Sequence, residues 1–203
     1  MDKSGVVHIV DDDAAVRHSL ERLLNSAGIA TAAYSSALHF LEAIPGLAPG
    51  CILLDVWMPE VTGLELQLRL KNLGLVLPII VMTAHGDVQS AVQAMKAGAV
   101  DFLEKPFDED CLFRTVEEAI GRSAVIECHR EAAQAIQRMA ALSRRERQVL
   151  DAVVAGKPSK VIAYELGISI RTVEVHRARM LERLGTRRAA DAIRIAVLAG
   201  TIG

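Results

Sequence analysis

"CILLDVWMPEVTG", residues 51–63, carries an apolar run straight into a carboxylate, Asp55, then breaks at Pro59 and again at Gly63. A buried strand has no need of a charge, and an uncompensated carboxylate at its end costs on the order of several kcal/mol. Asp55 therefore either has partners or sits at an opening. The pattern recurs. "VVHIV" (6–10) runs into Asp11, Asp12 and Asp13, "PIIVM" (78–82) into Thr83, and "DFLE" (101–104) into Lys105.

Outward from these runs, the first 121 residues alternate strand-like segments (6–10, 29–34, 51–54, 79–82 and 101–104) with segments of helical period (15–26, 36–44, 63–73, 88–97 and 108–121). Five βα units predict an α/β fold, a doubly wound, five-stranded parallel sheet with helices on both faces. Such sheets bind ligands outside the carboxyl ends of their strands, where the strand order reverses. Asp11, Asp12, Asp55, Thr83 and Lys105 all fall at those ends, so distant residues are expected to meet in one crevice.

The residue types there specify a chemistry. Neighbouring carboxylates repel one another, and a hard divalent cation such as Mg²⁺, which prefers oxygen ligands, relieves that repulsion. Asp55 can then act as a nucleophile toward phosphorus, with Lys105 supplying a cation and Thr83 a hydroxyl to the phosphoryl oxygens. An acidic run by itself reads as a solvated helix cap, and a single lysine as a surface cation. Their joint placement on four strand ends favours a site.

Composition limits the remaining classes. The 203 residues are 51% hydrophobic but only 3% aromatic, enough for one or two cores of aliphatic side chains. No apolar stretch approaches the roughly 20 residues of a membrane span, and "MDKSGVVHIVDDD" lacks the apolar core of a secretion signal. A soluble, cytoplasmic protein without a membrane partner is expected. Cys51, Cys111 and Cys128 are odd in number and form no C-x-x-C pair, which argues against a disulfide framework or a zinc site. Residues 1–122 hold 9 Lys+Arg against 17 Asp+Glu, whereas residues 123–203 hold 14 against 8. That split predicts two domains with different partners, the basic one suited to nucleic acid.

After Gly121, "RSAVIECHREAAQAIQRMAAL" contains no Pro or Gly, and Ile126, Ala133, Ile136 and Ala140 recur at near-helical spacing. A helical connector is expected over 122–141. "LSRRERQVL" then offers a capping box, Ser143 and Glu146, before an apolar-periodic helix. A short helix over 159–166, a turn at Gly167 and a helix over 170–184 capped by Ser169 predict an all-α helix-turn-helix domain over 142–203. On the second of these helices Val173, His176, Met180 and Leu184 share the inward face, with His176 partly buried and structural. Arg171, Glu174, Val175 and Ala178 lie opposite, flanked by Arg179. In a major groove, Val can touch a thymine methyl, Glu can accept from cytosine, and Arg can reach guanine or phosphate. A solvated charged helix in a protein-docking domain is the other reading of this face.

Through "IVDDD", "LLDVWMP", "VMTAHGD" and "DFLEKPF", residues 1–121 resemble the receiver domain of bacterial two-component response regulators. The resemblance implies a sensor histidine kinase as partner and Asp55 as phospho-acceptor. It implies Mg²⁺ held by Asp11, Asp12, Asp55 and the Trp57 backbone carbonyl, with Thr83, Phe102 and Lys105 as the signalling switch. It also implies a cis Lys105-Pro106 peptide, homodimerisation on phosphorylation through residues 88–97 and 101–104, and no enzymatic activity beyond self-catalysed phosphoryl transfer and hydrolysis at Asp55. FixJ-type receivers usually carry Arg where this chain has Trp57. "LSRRERQVLDAVVAGKPSKVIAYELGISIRTVEVHRARMLERL" is similar to the LuxR-type (NarL/FixJ) DNA-binding domain. That similarity implies a last helix over 188–198 that pairs two copies on promoter DNA, with RNA polymerase as a further partner. Phosphate contacts would fall to Lys160, Thr172 and Arg179, and base contacts to Arg171, Glu174, Val175 and Ala178. The whole chain is identified as a FixJ-type, phosphorylation-activated transcriptional regulator. A phosphatase working through an aspartyl intermediate is an alternative, but such enzymes need D-x-D on the nucleophile's strand, which "LLDVWMP" lacks; a protein-docking adaptor is another.

Overall fold

The computed structural model describes residues 5–84 and 87–200. The His85-Gly86 step of "VMTAHGD" and the outermost ends of the two expected domains lie outside the described residues. The chain divides into two compact units, Met1–Glu127 and Cys128–Gly203.

In the first unit, β1 (Val6–Val10), β2 (Ala30–Tyr34), β3 (Gly50–Asp55), β4 (Ile79–Ala84) and β5 (Asp101–Lys105) form one sheet in the order β2-β1-β3-β4-β5. Every neighbouring pair is parallel. The helices are α1 (Ala14–Ser26), α2 (Ala37–Ala43), α3 (Gly63–Asn72) and α4 (Val88–Ala97), and α5 (Glu109–Ala140) begins in this unit and continues in sequence past Glu127. A 3-10 turn, Ile44–Gly46 with Pro45 near its start, ends α2 a residue earlier than the sequence suggests. Side chains alternate across a strand, so a sheet covered on both sides reads as an unbroken apolar run. Ile52, Leu54, Ile79 and Val81 accordingly join Phe40, Leu66, Leu70 and Ala94 from α2, α3 and α4. Cys51, Leu53, Ile80 and Met82 join Leu20, Leu24, Leu112 and Val116 from α1 and α5.

Asp55, Thr83 and Lys105 belong to the strands themselves, whereas the acidic run from Asp11 follows β1. Asp55 and Lys105 are the last residues of β3 and β5, and β4 takes in Thr83 and Ala84, because ladder pairing depends on the backbone and continues past the apolar residues. Since β1 lies between β2 and β3, the crossovers on its two sides diverge and open a crevice at the strand ends. Val10 pairs with Leu54, so Asp11 emerges alongside Asp55.

Helix α5 differs from expectation. It does not end at Gly121 but runs unbroken to Ala140, taking in most of the expected connector. One interior glycine costs about 1 kcal/mol relative to Ala, too little to stop a helix with a packed face. The buried positions also differ from the expected stripe. Ala135 and Met139 are buried, while Ile136 and Ala140 are exposed.

The second unit contains α6 (Arg144–Val154), α7 (Ser159–Leu166), α8 (Ile170–Arg183) and α9 (Ala189–Leu198). Ser143 and Glu146 form the expected capping box on α6, and Ser169 caps α8. Gly167, at φ 66°, ends α7 in the left-handed conformation that glycine adopts most readily. Val173 packs with Val149 and Ile162, and Met180 and Leu184 pack with Leu150 and Ala192, which fixes the inward face of α8. Among the described residues no helix is long and apolar enough to cross a membrane.

Candidate functional site

The acidic run after β1 divides its work. Asp13 caps α1, its carboxylate accepting from the Ala15 N–H at 2.7 Å, while Asp11 and Asp12 join Asp55 in a cluster in which one carboxylate oxygen of each lies within 4.8 Å of the others. Asp11 is fully buried, Asp55 nearly so, and Asp12 exposed, so the cluster has a closed floor and an open rim. Lys105 spans the floor, donating from Nζ to Asp11 Oδ2 at 2.8 Å and to Asp55 Oδ1 at 2.7 Å. The Trp57 N–H donates to Asp55 Oδ2 at 3.0 Å. Asp11 also accepts from the Asp13 N–H, and its backbone carbonyl accepts from Arg17. The Lys105-Pro106 peptide is cis, as the resemblance implied.

Burial raises the pKa of Asp55, the Lys105 hydrogen bond opposes it, and the charge of Asp11 adds to the rise. For Lys105, burial favours the neutral amine, but the hydrogen bonds and charges of Asp11 and Asp55 prevail and raise its pKa. The crevice thus gathers three carboxylates around one ammonium. Its donors are all hard oxygens and it is short of positive charge, which fits a hard divalent cation.

Two further expected residues meet on the neighbouring face. Thr83, buried on β4, and Phe102, partly exposed on β5, line a cleft of about 320 Å³ with Val88, Ala91, Val92 and Met95 of α4. Asp87 also lines this cleft. It caps α4 by accepting from the Ser90 N–H, and its other oxygen accepts from the Trp57 indole N–H at 3.0 Å. Trp57, 61% exposed, therefore touches Asp55 through its backbone and the N-terminus of α4 through its side chain. The Asp87 cap has a sequence signal in "GDVQS", but nothing local announces its pairing with a tryptophan thirty positions away.

In the second unit, Lys160, Arg171, Glu174, Val175, Ala178 and Arg179 are all exposed and Thr172 is half-buried. His176 is half-buried, and its Nδ1 has no hydrogen-bond partner among the described residues. Glu174 is not a free side chain on this face. It accepts from the Ser159 hydroxyl of α7 at 2.5 Å, and that hydroxyl in turn accepts from Arg177 at 2.9 Å.

Residues 7–117 match the response regulator receiver domain, and residues 140–196 match the luxR family of bacterial regulatory proteins. The chain is 48% identical over 201 residues to the transcriptional regulatory protein FixJ of Azorhizobium caulinodans, covering 98% of this chain and 95% of that one. It is 45% identical to FixJ of Bradyrhizobium diazoefficiens, covering 100% and 99%. The crystal structure of full-length FixJ from B. japonicum superposes with a TM-score of 0.58 at 44% identity, covering 98% of each chain.

Proposed function

The chain belongs to the bacterial response regulators that join a receiver domain to a luxR-family DNA-binding domain, and from that membership we propose how its residues carry out phosphorylation-activated transcriptional regulation. A receiver implies a histidine kinase partner and a luxR-family domain implies DNA. The proposed division is a receiver over 1–121, a helical connector over 122–141 and a DNA-binding domain over 142–203.

Asp55 is the phospho-acceptor, and the Lys105 bridge between Asp11 and Asp55 is the observation that carries this reading. One Asp55 oxygen forms the new bond to phosphorus as the donor's bond to the phosphoryl group breaks. The Trp57 N–H holds the carboxylate, and Lys105 is positioned to follow the developing negative charge. Asp11, Asp12, Asp55 and the Trp57 carbonyl are the proposed Mg²⁺ ligands; the bound ion would neutralise the charge of the carboxylates and of the incoming phosphoryl group.

Thr83 and Phe102 answer the phosphoryl group by reshaping the cleft they share, since packed elements respond as two-state units. Val88, Val92, Met95 and Phe102 already expose apolar area there, which supports a homodimer formed on that face. Two subunits, paired on DNA through α9, would read half-sites about one turn, roughly 10 bp, apart. Lys160, Thr172 and Arg179 would meet phosphates, Arg171, Glu174, Val175 and Ala178 bases, and the assembled dimer RNA polymerase.

The test is intact-mass spectrometry after acetyl phosphate and Mg²⁺. The expected result is one added phosphoryl group on the wild type and none on Asp55→Asn; equal labelling of both overturns the assignment.

A further inference from the structure

The N-cap position of α7 is held by Pro158, whose side chain has no oxygen to offer the first turn. Ser159 follows it as the first residue of α7, and its hydroxyl points across to α8. A hydroxyl has one proton to give and lone pairs to receive. Here the proton goes to Glu174 Oε1 at 2.5 Å, and a lone pair accepts from Arg177 Nη1 at 2.9 Å. The chain of donors runs Arg177 to Ser159 to Glu174, and Arg177 also lies 3.9 Å from the same Glu174 oxygen. Charged ends at both sides of a hydroxyl make each of these bonds stronger than a neutral one.

The consequence falls on one exposed carboxylate. Glu174 stands on the outward face of α8, one turn after Arg171 and one turn before Ala178. Its side chain is 56% exposed despite the hydrogen bond and the ion pair at Oε1, and Oε2 makes no hydrogen bond among the described residues. A glutamate is ordinarily a poor neighbour for DNA, because phosphates repel it and its three side-chain torsions scatter its oxygens. Both defects are reduced here, since Arg177 balances the charge and Ser159 fixes the orientation.

We propose that Ser159 and Arg177 are positioning residues that make Glu174 specificity-determining, presenting Oε2 to an exocyclic amino group, that of cytosine or adenine, in the major groove. This inference rests on the reading of the α8 outer face as the base-contacting surface. It assigns selectivity to a residue of α7 that itself touches no base.

The experiment measures binding of the full-length phosphorylated chain to a randomised-operator library and, separately, to DNA lacking a site. Wild type, Ser159→Ala, Ser159→Thr and Glu174→Ala are compared. Ser159→Ala is expected to lose about 5–10-fold of discrimination at one base pair per half-site, the same base pair that Glu174→Ala loses, with affinity for site-free DNA unchanged. Ser159→Thr, which keeps the hydroxyl, restores the wild-type preference. A Ser159→Ala preference identical to wild type, with Glu174→Ala altered, overturns the positioning role alone. Unchanged preferences in both variants overturn the base-contacting role of Glu174 and the inference with it. An equal loss on site-free DNA, or a Thr variant as poor as Ala, marks Ser159 as a structural residue of the helix pair and also overturns the inference.

Discussion

The crevice of the first unit and the outer face of α8 both concentrate charged side chains, yet they are built in opposite ways. The crevice gathers Asp11, Asp55 and Lys105 at the ends of three separate strands, buries most of them, and balances its charges against one another. The α8 face takes Arg171, Glu174, Val175, Ala178 and Arg179 from one continuous helix and leaves all five in solvent. Buried charges interact strongly and are costly when unpaired, whereas exposed ones are screened and contribute little to stability. Changes in the crevice should therefore be felt by the fold as well as by function. Changes on the α8 face should alter DNA binding and leave the fold intact.

One glycine from each unit tests this contrast at its largest expected effect. A Cβ on Gly63 would lie 2.1 Å from the Asp55 backbone carbonyl oxygen, so Gly63→Ala must push apart α3 and the end of β3. We expect a loss of about 3 kcal/mol together with impaired phosphoryl uptake, measured by urea titration and intact mass. Gly167 meets nothing within 4 Å and needs only its positive φ, so Gly167→Ala should lose about 1–2 kcal/mol and leave phosphorylation untouched. Equal losses in both variants would break the contrast.

Removing Lys105 comes next. Lys105→Ala leaves the buried Asp11 and Asp55 facing each other without their cation, and should destabilise the metal-free protein by about 2 kcal/mol. Mg²⁺ should return part of that loss, and more of it than in the wild type. Stability equal to wild type without Mg²⁺ would mean that water already compensates the carboxylates.

A smaller, pH-dependent effect belongs to the same sheet. His8 is buried on β1, where Nε2 pairs with the Ala48 carbonyl and Nδ1 with the Tyr34 hydroxyl. Burial lowers its pKa, with the Ala48 hydrogen bond opposing the shift. The unfolded chain, with a histidine pKa of about 6.5, then binds a proton that the fold refuses. Stability is full above that value and falls as the pH drops below it, by at most about 1.4 kcal/mol per pH unit. Urea titrations of the wild type should show this slope and His8→Phe a shallower one; parallel slopes would remove His8 from the account.

The smallest expected effect is spectroscopic. Trp57 is the single tryptophan of the chain and bridges Asp55 to Asp87. Its emission should change on Mg²⁺ addition and again on phosphorylation, when a group of about −1.5 to −2 charges arrives two residues away. Asp87→Ala should shift the resting emission without blocking phosphoryl uptake. An indole indifferent to all three changes would mean that the side chain does not sense the crevice.

The contrast between the two surfaces also decides how much of each could be read in advance. Runs such as 51–54 and 79–82, ending in Asp55 and Thr83, made the parallel sheet and its polar strand ends legible, because burial on both faces forces continuous apolar residues. Ser143 with Glu146, Gly167 and Ser169 marked the helix ends of the second unit, since capping joins residues only two to four positions apart. The outward face of α8 followed from helical period alone. The path of α5 through Gly121 did not, because the packing of the residues on either side outweighs the preference of one residue. What the amino-acid order determined by itself was therefore local: the elements, their caps, their faces, and which strand ends carry polar groups. Tertiary structure alone decided which of those groups touch: Lys105 between Asp11 and Asp55, the Trp57 indole on Asp87, Ser159 on Glu174. These pairings depend on strand order, register and helix crossing, which are set by the packing of the whole core and leave no trace in the spacing of neighbouring residues.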